Sequence, residues 1–599
     1  MTKETVHLVH KIRQQASKYK ERDAVRFRVA DQIWESISWN DFSEEIDKIS
    51  LSLLSSGVGV QEKVGIYAQN MPNWTIADFA SQQIRAVSVS IYATSTSKQA
   101  AYIVNDAQIK VLFVGDQEQY DNAAEIAEEC PSLEWIVAMK PSIHRRGHKL
   151  GILWDDFIEK GEKSQEAELL KRVEDASLTD LMTLIYTSGT TGEPKGVMMD
   201  YHNFGKQFDA HDEFIEFTDK DINLSFLPLS HVFERAWSTY VLYKGGVNNY
   251  LEDTKLIKEA LVEVKPNVMC AVPRFYEKIY STIHEKVAKA APSRQKLFHW
   301  AIGVGKAVFQ HKLKNETPSG FLKFQHKIAN KLVFSKFQKL MGGNIKFMPA
   351  GGAKLDPEIG EFFHAIGIPV VLGYGLTETA ATVTAWYIDR AFNPNTIGTK
   401  MPNVDVKIGE NDEILVKGDV VMKGYYNKPE ETAKVFTEDG YFKTGDAGKF
   451  DEDGNLMITD RIKELMKTSN GKYIAPQVVE GKIGKDHFVE QIAVIADGKN
   501  FVSALIVPTY ENLKEYAQEN GISYGSVEEL VNHHDIQKLI EKRVEAQQHD
   551  LAPFEKVKRF TLLSQEFSQD KGEMTPTLKL KRKTINENYK NEIAAMYKK

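Results

Sequence analysis

Residues 186–196 read YTSGTTGEPKG, a run of hydroxyls and glycines with one lysine, set directly behind the apolar pair Leu184-Ile185. Such a segment adds almost nothing to a core. Gly189 and Gly192 let the backbone approach an anion closely and adopt positive φ. Thr187, Ser188, Thr190 and Thr191 offer hydroxyl donors, and Lys195 adds a charge. Together these are the parts of a phosphate cradle. The Walker A pattern GxxxxGK[ST] fails in spacing and in the residue after the lysine, which is Gly196, so a P-loop NTPase is disfavoured. A polar glycine-rich loop is also a common surface turn. Its meaning depends on partners elsewhere in the chain.

A cradle needs a rigid scaffold, and the N-terminal third has the pattern of one. Segments 63–68, 87–92, 111–115 and 135–138 read as strands, with helical patterns at 74–84, 97–105 and near 119–129. That alternation predicts parallel sheets covered on both faces, with ligands beyond the carboxyl ends of the strands. From about residue 400 the texture turns β-rich, with strands expected at 404–408, 413–416 and 456–458. After Asp460-Arg461 a smaller α/β unit follows, with strands near 492–495 and 501–507 and then charged helices.

At 599 residues the chain exceeds what one core supports, so two or more domains are expected. A hydrophobic fraction of 42% with 27% charged residues is that of a soluble globular protein, and a net charge of -7 gives no reason to expect nucleic acid as a partner. Cys130 and Cys270 form neither a disulfide framework nor a metal cluster, and Cys270, within Val268-Met269-Cys270-Ala271-Val272, reads as a small buried hydrophobe in a reducing compartment. The first residues have no apolar core of signal-peptide length, and no window has the 18 or so uninterrupted apolar residues of a membrane span. The expectation is a cytoplasmic protein, at most peripheral to the inner membrane face.

Segment 286–340 stands apart. Twelve basic residues, from Lys286 to Lys339, accompany a single acidic one, Glu316, and are interleaved with Phe298, Trp300, Phe309, Phe321, Phe324, Phe334 and Phe337. Two readings stay open: a basic amphipathic face against an anionic membrane, or helices with their aromatic side inward and their lysines in water.

Further motifs occur along the chain: LPLSHVFER at 227–235, VPRFYEK at 272–278, FMPAGGA at 347–353, GYGLTET at 373–379, TGD at 444–446, DRIKEL at 460–465 and TPTLKLKRK at 575–583. With YTSGTTGEPKG these resemble, in order, the signatures of the adenylate-forming (AMP-dependent) synthetase superfamily. LPLSHVFER, VPRFYEK, the basic segment and TPTLKLKR make the long-chain fatty acyl-CoA synthetase branch the nearest in kind.

The resemblance implies an α/β fold. A large N-terminal domain of doubly wound sheets with a β-rich subdomain would span 1–459, a hinge 460–465, and a small mobile α/β lid 466–599. It implies ATP, CoA and a fatty acid as substrates, Mg²⁺ as cofactor, and a monomer or homodimer. Thr187 and Glu378 would be the Mg²⁺-side ligands, and Ser188, Gly189, Thr190, Thr191, Gly192 and Lys195 would bind phosphates. Gly351, Gly352 and Ala353 would line the adenine, with Tyr374 flanking the base, and Gly373, Gly375 and Thr377 of the same GYGLTET would bind ATP. Asp446 would take the ribose hydroxyls, with Arg461, Lys463 and Lys467 as nucleotide contacts at the domain junction.

Lys579 aligns with the family's C-terminal lysine, the cation between attacking carboxylate and α-phosphate; Thr577-Leu578 replaces the usual Ser-Gly before it, and Lys581 is the rival for the role. Rotation about a hinge carrying Asp460 and Lys463 would bring Gly471 to the path of the CoA arm, and His231 would stand near the carboxylate and thioester path. Trp237 is a candidate acyl-tunnel residue. Alternatives are a ligase for another acid or a carrier-protein acceptor, and a non-enzymatic binder; the intact set Lys195, Glu378, Asp446 and Lys579 speaks against the binder.

Overall fold

The computed structural model describes residues 5–187, 193–388, 392–461, 464–575 and 579–598, with only the backbone at Asp460 and Arg461. Its first sheet runs in the order Gly424–Tyr425, Lys195–Asp200, Leu181–Thr187, Val87–Ile91, Lys63–Tyr67, Ile109–Val114, Trp135–Ala138 and Gly151–Leu153. From Leu181–Thr187 to Gly151–Leu153 the pairing is parallel. Alternate residues of one strand feed two separate cores: Val111 and Phe113 enter one, Leu112 and Val114 the other. That is why these strands read as continuous apolar runs, since both faces are covered. Capping boxes start the intervening helices Ser97–Ala107 and Gln117–Glu125, at Thr96/Gln99 and Asp116/Gln119.

Parallel order stops at the signature segment. Leu181–Thr187 pairs antiparallel with Lys195–Asp200, and Thr187 stands opposite Lys195. The glycine-rich stretch thus links two neighbouring antiparallel strands, where a P-loop would lead into a helix.

A second layer pairs Ile222–Ser225, Val247–Tyr250, Asp23–Ala30 and Ile33–Ser38. Parallel bridges through Val268 and Ala271 extend it to Met348–Ala350 and Val370–Tyr374. An antiparallel sheet of Val404–Ile408, Glu413–Gly418, Phe442–Phe450 and Leu456–Arg461 forms the β-rich part. Beyond it, Val489–Ile495, Val502–Pro508 and Val557–Leu562 make a small sheet with its own cores on either face, holding Val494 and Ile506 on one side and Ile495 and Leu505 on the other. The architecture is α/β, with a large N-terminal and a small C-terminal domain, as expected from the sequence. Cys270 is buried, also as expected.

Helix Val232–Tyr243 is tied to the first sheet by a buried guanidinium. Arg235, 1% exposed, donates to Asp78 Oδ1 (2.5 Å), Thr183 Oγ1 (2.5 Å) and Ser88 Oγ (3.2 Å). Asp78 lies in Pro72–Gln83, so one side chain fixes two strands and two helices.

The basic segment divides its aromatics between the interior and the surface. In Pro292–Leu313 and the helical run from Gly320 to Leu340, Phe298, Phe309 and Phe334 are buried. Phe321 and Phe324 are 70% and 61% exposed, and Leu332 and Leu340 also face outward, on a surface shared with exposed Lys323, Lys327, Lys331, Lys336 and Lys339. Among the described residues, no helix is long and apolar enough to cross a membrane.

Because Arg235 is fully buried, removing its carboxylate leaves an unpaired charge, at a cost of about 3–5 kcal/mol. Asp78→Ala is therefore expected to move the urea midpoint sharply downward; an unchanged midpoint would contradict the structural weight given to this pair.

Candidate active site

A cleft of about 1630 Å³ opens between the two domains. Thr187 and Lys195 meet it from the first sheet, and Gly351, Gly352, Ala353, Gly373, Tyr374, Gly375, Thr377 and Glu378 from the second. Asp446 comes from the β-rich part, and Lys579 from the C-terminal domain. Residues far apart in sequence thus line one cleft. Ser188, Gly189, Thr190, Thr191 and Gly192, together with Lys463, lie outside the described residues, as do the side chains of Asp460 and Arg461. The Arg461 backbone pairs directly opposite Asp446.

Local backbone aims these groups. A Cβ at Gly375 would stand 1.3 Å from the Ala381 carbonyl oxygen, so only glycine lets the chain fold back on itself there. Ala380 and Ala381 hold φ of 48° and 89°, uncommon for residues with a Cβ, and this strained turn lets both Glu378 and Thr382 face the cleft. Thr187 is the last residue of its strand, which puts it at the carboxyl end of the parallel array.

The cleft's charges are already engaged. Lys195 Nζ lies 2.6 Å from Glu431 Oε2 and 4.9 Å from the centre of the Tyr425 ring. Hydrogen bonds from Lys195 and Lys434 hold the Glu431 carboxyl down at about 2. Tyr425 donates to Glu378 Oε1 (2.9 Å), and Tyr374 donates to Asp446 Oδ2 (2.7 Å), with Asp446 only 4% exposed. Tyr425 and Glu431 were not singled out in the sequence. The signal available was GYYNKPEE at 424–431, a turn-rich run with paired tyrosines and charges, but nothing local connects it to the glycine-rich loop.

His231 is the N-cap of Val232–Tyr243, and its Nδ1 accepts from the Phe233 amide at 3.2 Å. In the neutral ring the proton therefore sits on Nε2, leaving a donor. Burial, then the nearby charge of Lys579, lowers its pKa to about 4.

Lys579 follows Thr575 in a short hairpin: its amide donates to Thr575 Oγ1 (3.0 Å), and its carbonyl accepts from the Thr575 amide (2.8 Å). Lys581 caps the next helix and is not part of the cleft wall, which separates the two rivals by position. Lys467 is exposed and outside that wall, and Gly471, at φ +77° with no heavy atom within 4 Å of an added Cβ, lies on an exposed turn away from it.

The same cleft has an apolar recess. Phe208 and Phe214 from Tyr201–Phe214, and Val232, Ala236, Trp237 and Tyr240 from Val232–Tyr243, line it. Trp237 is held in the wall by a hydrogen bond from Nε1 to Asn223 Oδ1 (2.9 Å). One continuous space therefore offers cations, hydroxyls and hydrocarbon together.

The AMP-binding enzyme family matches residues 12–426, and the AMP-binding enzyme C-terminal domain matches 463–599. The chain belongs to the AMP-binding enzyme family. Its curated relatives include the long-chain-fatty-acid–CoA ligase FadD15 of Mycobacterium bovis, 32% identical over 96% of this chain and 94% of the relative. They also include long chain acyl-CoA synthetase 5 of Arabidopsis thaliana, 30% identical over 94% and 87%. Among solved structures, the adenylation domain of a carboxylate reductase from Mycobacterium chelonae shares the fold with a TM-score of 0.78 at 20% identity, covering 100% of this chain and 92% of that one. The anthranilate CoA ligase AuaEII, solved with anthranoyl-AMP, gives 0.74 at 16% identity, covering 98% of each.

In the ligand-free protein His231 is expected to stay neutral through the range near 6.5 where an ordinary histidine titrates, with its midpoint near 4. An NMR titration, assigned with His231→Gln, reads this directly; a midpoint at the ordinary value would show that the ring is neither buried nor beside Lys579.

Proposed function

We propose that this protein is a long-chain fatty acid–CoA ligase working in two steps. Fatty acid and ATP give acyl-AMP and pyrophosphate; the CoA thiol then attacks the acyl carbonyl, releasing AMP and the thioester. The observation that carries this reading is the continuity of the cleft, in which Lys579, Lys195 and Asp446 share one space with the Phe208–Phe214–Trp237 recess. A recess of this kind gains about 0.8 kcal/mol for each methylene it buries. The full-length likeness to long-chain fatty acid–CoA ligases supports the same reading.

Joining a carboxylate to a phosphate brings two anions together, so fixed positive charge is needed where negative charge develops. Lys579 serves there, between the attacking carboxylate and the α-phosphate. Lys195 exchanges Glu431 for a phosphate, with Ser188 to Gly192 supplying amides and hydroxyls around it. Asp446, an ionised acceptor, takes the ribose hydroxyls, while Gly351 to Ala353 and Tyr374 enclose the adenine, and Gly373, Gly375 and Thr377 bind ATP.

Thr187 and Glu378 would hold Mg²⁺. Both offer oxygen at the cleft wall, which suits a hard cation that takes one or two protein ligands and completes its shell with phosphates. Bound there, the ion would neutralise phosphate charge. Neutral His231 donates from Nε2 toward the carboxylate end. For the second step the C-terminal domain turns about Asp460 to Leu465, carrying Lys579 away, bringing Gly471 to the CoA arm, and leaving Arg461, Lys463 and Lys467 as contacts at the junction.

The protein acts in the cytoplasm as a monomer or homodimer, resting against an anionic membrane through the outer face around Phe321 and Phe324. The exposed aromatics among lysines support that contact.

The chemistry is tested by AMP release, measured with and without CoA across acid chain lengths. Wild type should form acyl-CoA from long-chain acids, and Lys579→Ala should lower acid-dependent ATP–pyrophosphate exchange by about 10²–10³-fold. Thioester formation only on a carrier protein would overturn CoA as acceptor. Sedimentation with anionic vesicles tests the membrane face: Phe321→Ser with Phe324→Ser should release the protein, and unchanged binding would refute it.

A further inference from the structure

The C-terminal domain is gripped by one side chain of the large domain, Arg274. Arg274 lies in the first turn of Pro273–Ala288, and its guanidinium donates to the backbone carbonyls of Gly484, Val489 (2.8 Å) and Glu490 (2.8 Å). Gly484 caps the C-terminal end of Pro476–Ile483, where carbonyls lack helical partners and the helix dipole is negative. A planar, permanently charged fork suits three converging oxygens, which a lysine cannot all reach.

Two neighbouring contacts close the grip. Lys278 Nζ meets Glu490 Oε1 at 2.7 Å, and Lys485 pairs with Asp356, the N-cap of Pro357–Ala365. Although burial opposes ionisation of Asp356, the Lys485 pair holds its carboxyl below the ordinary range.

The gripped helix leads on to the reacting lysine. Glu480, one turn before Gly484, takes a two-pronged contact from Arg582, at 2.6 and 2.7 Å, and also accepts from the Val494 amide (2.8 Å). Arg582 lies three residues beyond Lys579. The chain of contact therefore runs from the large domain through Arg274 to Gly484, then through Glu480 to Arg582 and the hairpin that carries Lys579 into the cleft.

We propose that Arg274 is a positioning residue that latches the C-terminal domain in the acid-activating orientation and, through the Glu480–Arg582 pair, sets Lys579 over the cleft. The latch rests on the two-step reading above, because only a domain that must leave this orientation needs a grip made of releasable hydrogen bonds. Its donors contact backbone carbonyls, so the latch reads the position of the domain's main chain.

The two half-reactions separate a latch from a merely structural role. In the full chain, Arg274→Ala should lower acid-dependent ATP–pyrophosphate exchange by about 10- to 100-fold, or about 1.4–2.7 kcal/mol. Thioester formation from supplied acyl-AMP and CoA should be unchanged or faster. Arg274→Lys should fall between wild type and alanine in exchange, and Glu480→Gln should repeat the pattern. An equal fall in both half-reactions, or no fall in exchange, would overturn the latch.

A measurement without chemistry keeps this distinct from failure of the ligase reading. With Cys130 and Cys270 buried, spin labels at Val262→Cys and Tyr524→Cys, both on exposed positions, report the distance between domains. Arg274→Ala should broaden that distribution; an identical distribution would refute the latch whatever the wild-type enzyme acts on. Wild type lacking acid-dependent exchange, together with a broadened distribution, would sink the ligase reading and leave the latch.

Discussion

The buried guanidinium of Arg235 is the constraint on which the site depends. A charge at 1% exposure has no recourse to water, so it must keep its carboxylate and its hydrogen-bond acceptors or destabilise the fold. Its acceptors lie on strand Leu181–Thr187, which ends at the cleft, and on Val87–Ile91 beside it. Arg235 itself follows His231 by one turn in Val232–Tyr243. The strand that delivers Thr187 and the helix that delivers His231 are thereby fixed to each other, and the recess wall of Trp237 and Tyr240 is fixed with them.

On that frame the cleft is built as a set of charges with exchangeable partners. Lys195 sits on Glu431, Glu378 accepts from Tyr425, and Asp446 accepts from Tyr374. A nucleoside triphosphate can exchange with such contacts without unfolding anything, because each of these residues lines the cleft wall. The domain boundary follows the same logic. Arg274, Lys278 and Asp356 hold the C-terminal domain by hydrogen bonds and ion pairs, which reform elsewhere more readily than a shared apolar core.

The basic segment shows how helical periodicity gives one stretch an inward and an outward aromatic face. Phe298, Phe309 and Phe334 turn inward and join the large core, while Phe321 and Phe324, on the opposite face, stand among lysines. Composition alone shows aromatics and lysines interleaved; which aromatic is on which face depends on where the helices rest against Pro357–Ala365 and its neighbours.

Much of the fold was legible in the chain. Strand 135–138 is found at its expected bounds, and the helices and strands from 63 to 115 lie within a few residues of theirs, because burial on both faces leaves an apolar signature that needs no knowledge of neighbours. The motifs likewise determined which chemistry-bearing residues the chain contains, including Lys195, Glu378, Asp446 and Lys579. Tertiary structure alone decided their partners. Glu431 beside Lys195, Tyr425 on Glu378, Arg274 on the Gly484 carbonyl and the placing of Lys579 rather than Lys581 at the cleft all join positions tens to hundreds of residues apart. Local sequence encodes periodicity and turn geometry, which act over a few residues; a hydrogen bond across domains exists only once both surfaces are formed and set against each other.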